Sequence, residues 1–399
     1  MKNNSVSVAE ANSTKMFYSY YFLFFLGYGS FYPLLSVYLK ESSGLTGSQI
    51  GLILSLFPVV MIFIQPMWGI FSDITKKPTA LLTTALIGTG AFTMVFSFSD
   101  SFEWFIVISF FLAFFQSAII PLSDSISISY AQKVNISYGS IRLWGAIGFA
   151  LAVFIAGRLA EIFTLSIIFY LYTLFLFISA LLVIRLPKET VQMKVNLKEG
   201  IKKLSKIPRY VFFLVSAFLM MGPILAHNIF FGIFIDEIGG TLAGVGIAFL
   251  LAAGSEAPFM KVAGGWIQRI GIENVLILSI IVASIRWFFY FFDPPVWLVY
   301  ATAVTQGFSV GLFIPAALQY VKQIAPVELG ATAISIYSAF GNGLGNWFCT
   351  FVGGIILEKY SSLYVYLFFG ILSTLSLSIM IAVKMVGKNK GRDYSATLS

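Results

Sequence analysis

Apolar runs of about 20 residues recur along nearly the whole of this 399-residue chain. A helix rises ~1.5 Å per residue, so each run matches the ~30 Å hydrocarbon core of a bilayer. Twelve membrane-spanning helices are expected, over 16–39, 48–71, 79–99, 103–130, 138–158, 162–185, 209–235, 241–264, 273–292, 296–321, 329–352 and 362–386. Composition agrees, with 58% hydrophobic, 17% aromatic and only 11% charged residues. A soluble domain carries roughly twice that charged fraction. The expected fold class is therefore all-α and integral to the membrane. Residues 1–15 are polar and lack a cleavage pattern, so the first helix itself is expected to direct insertion.

Charge placement orients the helices. With both termini in the cytoplasm and the loops alternating, 20 of the 25 Lys and Arg fall on the cytoplasmic side. Lys40, Arg158 and Lys359 fall outside, and Arg142 and Arg286 within helices. Acids divide almost evenly, eight outside and seven inside. That is the positive-inside pattern, in which Lys and Arg carry the bias and acids contribute little. The net charge of +8 thus reports topology in a cell membrane, inner or plasma, and not affinity for nucleic acid. The single Cys349 excludes an intrachain disulfide, and the single His227 disfavours a multi-histidine metal site. No cofactor is implied. A nucleotide-binding motif is absent from the sequence, which disfavours direct use of ATP. An intramembrane enzyme would need a nucleophile paired with a base, and His227 has no evident Ser or Cys partner.

Asp124, Arg142, Glu256 and Arg286 are charged residues inside hydrophobic segments, one acid and one base in each half of the chain. An unpaired charge at the bilayer centre costs ~2.5–3.5 kcal/mol on insertion scales. Retaining four suggests use: gripping a polar solute and moving a proton. Asp124 lies roughly 9 Å from the cytoplasmic end of its helix and Arg142 roughly 6 Å into the next, so the two could pair or jointly hold a solute. The planar donor fork of Arg142 suits carboxylates and sugar hydroxyl pairs. Trp144 can offer a ring face to a sugar or aromatic ring, and Gly145 and Gly148 allow close helix approach. Glu256 lies roughly 12 Å into its helix, near mid-membrane, and is the expected proton carrier. Arg286 is long enough to reach toward it, and Asp124 could assist. Helix 1 is crowded with aromatics, of which Tyr28, Phe31 and Tyr32 near Pro33 are candidates to line a cavity.

The longest polar interruption, 186–208, is lysine-rich and divides the segments six and six. The expected organisation is a tail over 1–15, a bundle over 16–185, a linker over 186–208, a bundle over 209–386 and a tail over 387–399. A shift of 195 positions places Gly51 on Gly246 and Gly69 on Gly264, a weak internal repeat. In each half the second helix ends in a glycine and a short charged turn.

Gly69-x-x-x-Asp73-x-x-Lys76-Lys77 after the second helix resembles the signature loop of the major facilitator superfamily. Helix count and central loop agree, so the resemblance spans essentially the whole chain. Asp73 would sit near a helix N-terminus or accept hydrogen bonds from a neighbouring helix, holding one gate state. Pro121-Leu-Ser-Asp124, Tyr138-Gly-Ser-Ile-Arg142-Leu-Trp144, Ala226-His227, Ser255-Glu256 and Ile285-Arg286-Trp287 resemble the phenylpropionate-permease branch, related to oligosaccharide–proton symporters such as lactose permease. The resemblance implies two pseudo-symmetric bundles working by alternating access around one central site, as a monomer. It also raises His227 as a solute contact. Two departures matter: Gln306 stands where the branch usually has a histidine, and Ser309 where lactose permease has a further acid. Gln306 is a candidate solute contact, and the relay of that permease does not carry over whole.

The expectation is proton-coupled uptake of a small polar organic solute, a sugar or a carboxylic acid. Efflux of a drug or sugar by the same fold is the nearest alternative, and a receptor that binds without flux the alternative of another class. The Gly341-Asn-Gly-Leu-Gly-Asn346 run is expected to give close packing and a pivot, because it lacks the lysine of a phosphate loop.

Overall fold

The computed structural model describes residues 8–186, 202–326 and 329–396, all of them helical or in short connections. The helices are α1 Val8–Glu41, α2 Gly47–Thr75, α3 Pro78–Ser97, α4 Phe102–Lys133, α5 Tyr138–Ile162 and α6 Ile167–Val183. They continue with α7 Pro208–Glu237, α8 Leu242–Ile270, α9 Ile272–Phe291 and α10 Val296–Ile324, the last interrupted at Ala303. α11 Gly330–Ser338 passes through a π-helical turn, Ala339–Gly345, into α12 Asn346–Lys359, and α13 spans Ser362–Ala396. Among the described residues, ten helices are long and apolar enough to cross a membrane. α6 is shorter, at 17 residues. The span expected over 162–185 is thus trimmed: α5 keeps Ile162, and Phe163–Ser166 turn the chain. The linker expected over 186–208 lies largely outside the described residues, and α13 runs helically into the segment expected as a C-terminal tail.

Local chemistry sets the helix ends. Thr46 and Gln49 form a reciprocal capping box at the start of α2, and Ser101 and Ser137 cap α4 and α5. Lys76 closes α2 in the left-handed region, at φ 53°. Prolines 33, 58, 66, 121, 223, 258 and 315 all lie inside helices. Buried helices tolerate them because neighbours satisfy the freed carbonyls.

Packing divides the chain into two compact units, Met1–Met193 with Ile229–Leu250, and Lys194–Asn228 with Leu251–Ser399. In the first, α1 packs on α5 and α6, α3 on α4 and α6, and α2 on α4. In the second, α9 packs on α10 and α13. The units differ from the expected six-plus-six division in one hairpin, Ile229–Leu250. Polar ties hold that hairpin in the first unit: Ser36 donates to the Ile229 carbonyl, Lys40 Nζ meets Glu237 Oε1 at 2.8 Å, and Ala243 N donates to Glu161 Oε1 at 2.9 Å.

Between apolar helices surrounded by lipid, close approach of backbones replaces the hydrophobic drive. The expected close packing at Gly148 is present: a Cβ there would lie 2.3 Å from the Phe22 carbonyl oxygen of α1. That atom is backbone and cannot swing away. Gly148→Val is therefore expected to lower stability by about 1–3 kcal/mol, the range for overpacking. A lowered thermal unfolding temperature of the detergent-purified protein checks this, with Ile147→Val as the control.

Candidate functional site

Each unit holds its own polar cluster. In the first, α4 carries Asp124 and α5 carries Tyr138, Arg142 and Trp144. The Tyr21 and Tyr138 hydroxyls both donate to Asp124 Oδ1, each at 2.7 Å. Arg142 Nη1 stands 3.9 Å from the same oxygen, an ion pair without hydrogen-bond contact. The expected meeting of Asp124 and Arg142 thus occurs, but tyrosines hold the carboxylate. The guanidinium covers the Phe25 ring at 4.5 Å, and both ionic side chains are part-exposed, Arg142 at 42% and Asp124 at 31%. Trp144 is exposed and lies on Tyr18 at 6.0 Å and edge-on to Phe22 at 6.4 Å.

The aromatics of α1 form a stripe. Tyr18, Tyr21, Phe25, Tyr28 and Tyr32 recur every three or four positions, the repeat of one helix face. Tyr28 and Tyr32 stack at 4.3 Å and are half-buried. Phe31 is fully buried against Tyr172, so of the three aromatic candidates it lines no cavity. Beneath Tyr32, Tyr172 donates to Gln116 Oε1 at 2.6 Å. Tyr21, Tyr138 and Gln116 were missed by the charge-based reading. The stripe and the spacing of Tyr138 one turn before Arg142 were the signals available for the first two.

In the second unit, α9 buries Arg286, which is 3% exposed. Its Nη1 donates to Gln306 Oε1 of α10 at 2.8 Å, and Gln306 Nε2 faces Asn228 Oδ1 of α7 at 3.4 Å. The guanidinium lies over Trp287 at 4.0 Å. His227 is 2% exposed, joined through Nδ1 to the Tyr366 hydroxyl at 2.9 Å and ringed by Trp287 and Tyr290. A buried, ring-enclosed histidine is placed for packing rather than for direct access. Glu256 is half-buried on α8, two residues before Pro258. A Cβ on Gly307 would fall 2.7 Å from Glu256 N, so the acid's helical turn sits against the turn carrying Gln306. The contact that Arg286 makes through Nη1 is with Gln306.

The loop candidates lie at the C-terminal end of α2. Asp73 falls in the last turn of α2, which continues to Thr75. It is exposed, as are Gly69, Lys76 and Lys77, and no hydrogen bond or ion pair of Asp73 is found among the described residues. The glycine run 341–345 coincides with the π-helical turn, with Gly345 against Phe218 and Gly222 of α7.

The MFS_1 like family matches residues 15–368. The chain belongs to the major facilitator superfamily. It is 44% identical to the maltose permease of Geobacillus stearothermophilus over 375 residues, covering 94% of this chain and 95% of that protein. It is 45% identical over 372 residues to the uncharacterized transporter YwbF of Bacillus subtilis, covering 93% of each. A probable 3-phenylpropionic acid transporter of Escherichia coli is 26% identical, over 81% of this chain and 86% of its own length. The crystal structure of the nucleoside transporter NupG superposes with a TM-score of 0.84 at 19% identity, covering 93% of this chain and 99% of that one, a likeness of fold. This major facilitator protein is a multi-pass membrane protein and a secondary transporter of small solutes.

The double tyrosine clamp predicts a separable effect. Hydrogen bonds to charged groups contribute about 1.5–3 kcal/mol, the lower end applying to a part-exposed carboxylate. The effect is separable from packing because each variant removes one hydroxyl: Tyr138→Phe and Tyr21→Phe should each lower the unfolding temperature of the purified protein by about 2–4 °C. Thermal unfolding followed by tryptophan fluorescence checks this, and unchanged temperatures in both would mean that water replaces the hydroxyls at Asp124.

Proposed function

We propose that this transporter takes up a sugar, with maltose the first candidate, together with protons. The observation that carries the reading is the 44% identity to a maltose permease across 94% of the chain. The chemistry of the first cluster supports it. Asp124 accepts hydroxyl hydrogens, Arg142 donates to hydroxyl oxygens, and the exposed face of Trp144 can lie on a pyranose ring. Tyr28 and Tyr32 add hydroxyls on the same helix stripe. In the second unit, half-buried Gln306 is the remaining candidate solute contact, His227 being enclosed by aromatic rings. Glu256 is the candidate proton carrier: a carboxylate at mid-depth, half-buried, on a helix turn beside Gln306. Arg286 would set when that proton is held, and Asp124 is a second candidate carrier.

The protein works by alternating access, with twelve spans in two six-helix bundles, as a monomer in the cell membrane with both termini cytoplasmic. α6 and the π-interrupted α11–α12 supply the two spans beyond the ten long ones. The exposed loop of Gly69, Asp73, Lys76 and Lys77 serves as the gating loop, its lysines anchored at the cytoplasmic surface. Asp73, unpaired here, is available to pair in another gate state. Gln306 cannot gain or lose a proton near neutral pH, so proton transfer falls to Glu256 without a histidine relay.

Proteoliposomes with an internal pH dye test this directly. Maltose, a nucleoside and 3-phenylpropionate are added in turn outside. Proton movement with maltose, and its loss in Glu256→Gln while maltose binding persists, is the expected result. Maltose flux with no proton movement, equal in wild type and Glu256→Gln, would sink the coupling. Proton movement with 3-phenylpropionate alone would reassign the solute to aromatic acids.

A further inference from the structure

Arg286 is buried almost completely, yet only one of its nitrogens has an acceptor. Nη1 donates to Gln306, while Nε and Nη2 are buried and make no hydrogen bond. The Trp287 ring covers one face of the guanidinium. The approach left to those two nitrogens is in the guanidinium plane, along the Nε–Nη2 edge. That edge carries two parallel N–H vectors, the fork that grips a carboxylate or another compact anion.

The neighbours do not fill the need. Gln306 turns its oxygen to Nη1 and its nitrogen to Asn228, so the chain Arg286–Gln306–Asn228 runs donor to acceptor in one direction. Its remaining N–H groups are donors as well. Ser309, buried one turn further on α10, gives its hydroxyl to the Thr305 carbonyl of its own helix. Trp287 Nε1 is a further buried donor without an acceptor. The Tyr290 ring lies 5.8 Å from the guanidinium. A buried cation with unpaired N–H groups is costly, and water supplies acceptors but no charge. Gln306 and Asn228, at the far end of that chain, are half-buried.

We propose that the Nε–Nη2 edge of Arg286 binds one compact anion, either a halide or the carboxylate of a small acid. This subsite lies in the second unit alone and does not depend on which solute is carried. It gives Arg286 a ligand of its own, apart from any role in timing the proton on Glu256.

Thermal unfolding of the purified full-length protein, followed by tryptophan fluorescence, tests this at fixed pH and ionic strength. Chloride or acetate replaces a bulky sulfonate buffer anion stepwise. Wild type should gain several degrees along a saturable curve with at least one probe. Saturation by chloride alone assigns a halide, and by acetate alone a carboxylate. Gln306→Glu places a fixed negative charge against the guanidinium, so it should start at or above the wild-type unfolding temperature and lose the response. Glu256→Gln should keep the response. No saturable shift in wild type, or equal shifts in wild type and Gln306→Glu, would overturn the proposal. So would a response seen only in Glu256→Gln, because Glu256 would then already occupy the edge.

Discussion

A charge held inside an apolar helix bundle must be compensated by groups that the fold itself brings up, and the two units solve this in opposite ways. In the first, an acid is compensated by donors: Asp124 collects two tyrosine hydroxyls on one oxygen, with Arg142 behind. In the second, a base is compensated by acceptors and ring faces, and incompletely so: Arg286 has one amide oxygen and the Trp287 ring. Each solution fixes helix neighbours. The Asp124 clamp requires α1 and α5 to flank α4, and the Arg286–Gln306–Asn228 chain requires α7, α9 and α10 to meet at one depth. Polar pairs that are modest in water acquire this structural authority because lipid offers no competing partner.

The remaining packing follows from what apolar surfaces cannot do. Leucine and phenylalanine faces are as content against lipid as against each other, so they do not choose partners. Small residues choose by allowing backbone contact, as Gly148 does against Phe22 and Gly307 against Ser255 and Glu256. The π-helical turn 339–345 belongs to the same logic. Its extra residue per turn shifts the following helix in phase, while Gly345 keeps the backbone close to Gly222 of α7.

This physics explains what was legible in the sequence. Most helix ends follow from apolar length, and α2, α4 and α7 begin and end within a few residues of the hydrophobic runs. The Asp124–Arg142 meeting was legible too, because both lie near the same end of consecutive helices joined by a short turn. The missed elements depend on phase and partner rather than on hydropathy. Tyr21 and Tyr138 look like two more aromatics among many until rotation about α1 and α5 aims them at one carboxylate. Arg286 is long enough to reach toward Glu256, and the partner its Nη1 takes, the Gln306 amide, could be told only from geometry. The hairpin Ile229–Leu250 joins the first unit through Ser36, Lys40 and Glu161, none of which stands out in sequence.

That hairpin has a consequence for the second cluster. Asn228 is the last residue of α7 counted in the second unit, and Ile229 the first counted in the other. Glu256 follows within about two helical turns of the point where α8 returns at Leu251. Both polar residues therefore sit on continuous helices just beyond a segment tied to α1 and α5. Asn228 is the far end of the chain that orients Gln306 and Arg286.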